Sequence, residues 1–210
     1  MKEAVNTTDG IPGRRSLLKY GAALAFGIPA AVALAGCTVE DPLAKQAKAG
    51  DNKNYIAGDG SVTEYAPEKR GKPVDISGKL FSGMQASSEQ WRGNVVVLNF
   101  WYAACAPCRK EAPDLVALHE TFSPEGTLFF GVNIRDEKAT ADAFERTFNI
   151  PYPSFNDKDG QVLLSMTSYV PPQAVPTTIV LDKQGRVSAR ILGLAEKSTL
   201  KALISDAVAE

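Results

Sequence analysis

The sequence is poor in the residues that build cross-linked or metal-stapled folds: three cysteines and one histidine in 210 residues. So few cysteines exclude a small domain held together by many disulfides. Charge of one sign is missing too. Lys plus Arg total 23 against 24 for Asp plus Glu, a net charge of −1. An electrostatic nucleic-acid binder would show a basic excess or stripe. No internal repeat is present, and the only low-complexity stretch is Ala-rich and close to the N-terminus. What is there suits a globular protein: 44% hydrophobic and 22% charged residues, enough to bury a core.

The Ala-rich stretch belongs to a segment set apart from that core. Met1–Lys19 is polar and holds Lys2, Arg14, Arg15 and Lys19; Tyr20–Gly36 then runs 17 residues without a charge. Broken by Gly27 and Pro29, that run is marginal for spanning a bilayer. A basic region followed by such a run reads as an export signal over residues 1–36. Arg14-Arg15-Ser16-Leu17-Leu18-Lys19 resembles a twin-arginine signal. Two arginines also suit ordinary secretion. Leu34-Ala35-Gly36-Cys37 resembles the lipobox of bacterial lipoproteins, which makes Cys37 the expected lipid attachment and first mature residue. Without residues 1–36 the chain keeps 19 basic and 22 acidic residues. Residues 37–66 are polar, rich in Gly, Asp, Asn and Lys, and show no sustained period. They read as a flexible spacer between the lipid and one domain over 67–210.

In that domain Val95–Phe100 is a short apolar run, as expected of a buried central strand. Ala106–Phe122 has helical spacing of apolar residues, Leu128–Ile134 is a second buried strand, and Ala139–Phe148 and Gln161–Met166 read as helices. Thr177–Leu181 and Arg186–Leu192 form a hairpin around Asp182-Lys183-Gln184-Gly185. Ser198 is the expected cap of a terminal helix. Strands that alternate with helices and close on a hairpin predict a three-layer α/β/α sandwich with a mixed central sheet.

The chemistry falls where the first central strand ends. There Phe100-Trp101-Tyr102-Ala103-Ala104 leads into Cys105-Ala106-Pro107-Cys108 at the start of a helix. A helix N-terminus carries partial positive charge and unpaired N–H groups, and both favour thiolate over thiol. Cysteines in C-x-x-C sites have pKa values lowered to roughly 3.5–7.5. Two intervening residues let the sulfurs bond, so the pair can cycle between dithiol and disulfide. Zinc needs about four ligands, and the domain adds only His119 to the pair. A haem attachment needs His directly after the second Cys, where Arg109 stands. A structural disulfide across so short a loop would remove little chain entropy. His119 reads as a helix-surface residue.

Asn99 through Pro113, with Val175-Pro176-Thr177 before a later strand, resembles the thioredoxin superfamily and within it the TlpA/ResA-like family of membrane-tethered, extracytoplasmic thiol–disulfide oxidoreductases. The resemblance implies a thioredoxin-like fold over about 67–210. It implies that Cys105 is the exposed nucleophile and Cys108 the buried resolving thiol. It makes Pro176 a cis-proline facing the cysteines, with the backbone of Val175 and the nearby Trp101 as substrate-binding elements. Glu111 lies three residues after Cys108, on the same side of the helix, and is implied as the carboxylate that tunes the thiols and accepts a proton. Asn99 occupies the place where thioredoxins proper carry an Asp. Pro113 would kink the helix.

The function so implied is reduction of protein disulfides on the outer face of a bacterial membrane, with apocytochrome c as a substrate and electrons from a membrane donor of the CcdA or DsbD type. No cofactor and no metal are called for. A disulfide-forming oxidase runs the same chemistry in reverse. A peroxide-reducing relative would act through an earlier Cys. A Sco-type copper metallochaperone resembles C-x-x-x-C with a distal His, and neither feature is present. The proline-rich Val170-Pro171-Pro172-Gln173-Ala174 departs from the family pattern and should shape the groove beside the cysteines.

Overall fold

The computed structural model describes residues 58–210. The export signal, Cys37 and the spacer up to residue 57 lie outside the described residues. Among those described, no helix is long and apolar enough to cross a membrane.

The centre is β4 (Val96–Trp101), buried along its whole length. It pairs in parallel with β5 (Leu128–Asn133), which pairs in parallel with β6 (Ser154–Asn156). On its other side β4 runs antiparallel to β7 (Thr177–Leu181), β7 to β8 (Val187–Leu192), and β8 to β1 (Ser61–Glu64). The order β1-β8-β7-β4-β5-β6 is a mixed six-stranded sheet.

Alternation along β4 divides the core. Val96, Leu98 and Phe100 face a layer made by the hairpin β2 (Ser77–Lys79) and β3 (Gln85–Ser87), a 3-10 turn over Ser88–Trp91, and α3 (Gln161–Ser165). Val97 faces α1 (Ala106–Phe122) and α4 (Lys197–Ala209), where Leu115, Leu118, Leu200 and Ile204 are buried. Trp101 points to the same side and stacks on Phe144 of α2 (Lys138–Phe148), centroids 4.2 Å apart. The architecture is the expected α/β sandwich, with one outer layer thin.

The structure corrects two expectations and adds three short strands. Ser61–Glu64 is not spacer: it forms an edge strand whose register runs Ser61 against Leu192 to Glu64 against Ala189. Its side chains are mostly exposed, so backbone pairing holds it and no hydrophobic period announces it. The strands β2, β3 and β6 have three residues each, too short to show a period. The last helix is entered through Glu196, so Ser198 lies inside it and does not cap it.

Candidate active site

Strand β4 delivers the chain to a tight turn in which Cys105 N–H bonds Tyr102 O at 3.2 Å. Cys105 is then the N-cap of α1. Its backbone is extended, its Sγ accepts the Cys108 N–H at 3.2 Å, and its carbonyl accepts Arg109 N–H at 3.1 Å. Pro107 sits in the first helical turn, where a missing N–H costs nothing. Cys105 and Cys108 are joined by a disulfide with 5.3 Å between Cα atoms.

The resemblance implies an exposed sulfur at Cys105. In this oxidised state the residue is 0% exposed and Cys108 is 2% exposed. Both pack in one cluster with Phe81, Trp101, Tyr102, Ala112 and Val175, and that packing closes over the bridge. Trp101 is itself buried within this cluster, 4% exposed. Behind Cys108 a cavity with room for about one water is lined by Asn99, Trp101, Phe144, Tyr152 and Ser154.

The Val175–Pro176 peptide is cis. Pro176 O accepts Gly193 N–H at 2.8 Å, which ties the segment to the end of β8. Val175 is buried in the cysteine cluster. The preceding Gln173 has a left-handed backbone, φ 70°, at the rim of this region.

Glu111 is 1% exposed, and its oxygens are held by the Asn99 amide (2.7 Å) and by Ala195 N–H (2.9 Å). Asn99 also donates to Thr178 Oγ1 at 3.1 Å, and the two residues are paired in register across β4 and β7. Burial pushes the Glu111 carboxyl up to about 8, against the pull of Ala195 and Asn99 and with a small push from Asp114. Burial thus lets the carboxyl keep its proton well above the usual carboxylate range, which suits a group that exchanges protons. Asn99, Thr178 and the Ala195 amide form a cradle that the sequence reading missed. Part of its signal was available: Asn99 is the one polar residue in the otherwise apolar β4. His119 is only half-buried, lies against Phe129 and Tyr152, and burial lowers its pKa. It stands apart from the cysteine cluster.

Among the described residues no group of three or more His, Cys, Asp or Glu could hold a metal ion. The arrangement is suited to thiol–disulfide exchange, in which a dithiol on one partner is oxidised as the disulfide on the other is reduced.

Solved structures similar to this chain include a secreted thiol-disulfide isomerase from Corynebacterium glutamicum (33% identity, TM-score 0.67, covering 72% of this chain and 95% of that one). A DsbF homologue from Corynebacterium diphtheriae aligns at 32% identity and TM-score 0.62, covering 71% and 94%. In sequence, the thiol-disulfide oxidoreductase ResA of Geobacillus thermodenitrificans is 32% identical over 119 residues, which are 57% of this chain and 66% of that relative, just under two thirds. The thioredoxin-like fold is thus shared at both levels. Residues 69–190 match the AhpC/TSA family, and with more than half of its length inside that match the chain belongs to it.

Proposed function

We propose that the chain is a thiol–disulfide oxidoreductase acting outside the cytoplasm, and that it reduces protein disulfides. The observation that carries this reading is the Cys105–Cys108 bridge at the N-terminus of α1, packed in one cluster with Val175, the residue before cis-Pro176. The Cys105 thiolate attacks one sulfur of a substrate disulfide, and the other sulfur leaves as a thiolate. Cys108 then attacks Cys105 Sγ, the second substrate sulfur leaves, and the bridge seen here results. Glu111 accepts the proton that Cys108 gives up. In this reading the backbone of Val175 pairs with an extended segment of the substrate. Two electrons per cycle must come from a donor. A membrane protein of the CcdA or DsbD type fits a domain tethered by export and a lipid on Cys37, and apocytochrome c fits as a substrate.

The deciding measurement is the reduction potential of the Cys105–Cys108 couple in the full chain. A value near or below about −250 mV, in the thioredoxin range, is expected of a reductase. A value near about −120 mV would make the protein a disulfide-forming oxidase. The cysteine roles have their own test. Cys105→Ser should abolish turnover, and Cys108→Ser should accumulate mixed disulfides on Cys105. Adducts on Cys108 in the Cys105→Ser protein would reverse the roles.

A further inference from the structure

The turn that presents Cys105 is held from outside the C-x-x-C motif. Its second residue, Ala103, gives its N–H to Asp136 Oδ2 at 2.6 Å. Asp136 lies in the connection from β5 to α2, far from the motif in sequence. That connection is built around Asn133, which is 0% exposed and pairs in register with Trp101 at the end of β4. Asn133 Oδ1 accepts N–H groups of Arg135 (3.1 Å) and Asp136 (2.8 Å), and its Nδ2 donates to Asp136 Oδ2 at 2.8 Å. The carboxylate is therefore aimed before it meets Ala103.

Two further contacts converge on the same turn. The Arg135 guanidinium lies over the Tyr102 ring, 4.1 Å from its centroid. Arg109 Nη1 reaches Ala103 O at 3.4 Å while its guanidinium lies over Phe148. Ala103 is thus engaged through both its N–H and its carbonyl. Asp136 sits directly before Glu137, the N-cap of α2, and its carboxylate is turned across to the neighbouring turn, not to that helix start, which has no side-chain cap.

We propose that Asp136 is a positioning residue for Cys105. By fixing the Ala103 amide it sets the direction in which the Cys105 sulfur meets an incoming disulfide. This rests on Cys105 being the attacking thiol, as proposed above. The acceptor oxygen is the operative part, so an amide side chain can substitute for the carboxylate.

The test compares full-length wild type, Asp136→Asn and Asp136→Ala in insulin-disulfide reduction and in backbone amide exchange at Ala103. Asp136→Ala should lower kcat about tenfold with little change in KM, because a small misplacement of a reacting group is costly. Asp136→Asn should recover to within about threefold of wild type, since its Oδ1 still accepts. Ala103 N–H should exchange slowly in wild type and Asp136→Asn and at least about tenfold faster in Asp136→Ala. Wild-type turnover in Asp136→Ala, or an Asn variant as slow as the Ala variant, overturns the proposal. Should Asp136→Ala not fold, an unprotected Ala103 amide in wild type overturns it, and protection shared by wild type and Asp136→Asn supports it. A wild-type chain that reduces no disulfide counts against the proposed function alone, because the amide readout does not depend on turnover.

Discussion

Glu111 carries a free-energy consequence of its own. A carboxyl whose native pKa lies above its ordinary 4.5, at about 8, stabilises the fold fully below 4.5. That contribution is lost as pH rises toward 8, because the unfolded chain gives up the proton there while the buried carboxyl keeps it. At about 1.4 kcal/mol per pH unit the loss is capped near 5 kcal/mol. Wild type should therefore unfold at lower denaturant at pH 8 than at pH 5, and Glu111→Gln should flatten that slope. Parallel curves for the two proteins would mean that Glu111 does not titrate in this interval. In the reduced protein the same substitution should shift the pH profile of thiol alkylation. Its burial was legible in principle. Glu111, Leu115, Leu118 and Phe122 recur at helical spacing, which puts the carboxyl on the apolar face of α1. What spacing could not supply was the cradle, because Ala195 is brought to Glu111 across 84 residues of chain.

The hairpin β7–β8 depends on the turn that joins it. Asp182 is buried and accepts N–H groups of Gln184 (3.0 Å) and Arg186 (2.8 Å), as well as the Arg186 and Arg70 guanidiniums. Burial alone would raise its pKa, but the Arg186 amide and the Arg70 and Arg186 side chains together hold it below the ordinary carboxylate value. That stability is present above pH 3.8 and is lost as pH falls through the lowered native pKa. Asp182→Ala takes the carboxylate from Arg186 and leaves Arg70 paired with Glu210 alone, and a loss of about 3 kcal/mol is expected from urea unfolding at pH 7. A loss below about 1 kcal/mol would show that the turn stands on its backbone bonds. At this scale the sequence read well where a segment is long or patterned. Helix α1 and strand β7 have the predicted limits, and Gly185 has the positive φ the turn requires. It read poorly where three residues suffice for a strand, as in β6, since the pattern there lives in the partner strand.

Over the whole molecule the boundary of the domain matters most. Strand β1 covers the outer edge of β8, and Arg190 reaches Thr63 Oγ1 at 3.1 Å while Tyr65 N–H bonds Ser188 O at 2.8 Å. A chain begun at Pro67 would leave β8 as an open edge, a template for pairing with another copy. It should melt at least about 5 °C below the full chain and aggregate sooner on heating. Equal melting would make β1 dispensable. The closure over the Cys105–Cys108 bridge has a different reach. With Cys105 at 0% and Cys108 at 2% exposure, a small dissolved thiol should reach the bridge slowly. A macromolecule that loosens the surrounding cluster by binding should reach it faster. The oxidised centre should then answer to recognition before it answers to reducing power.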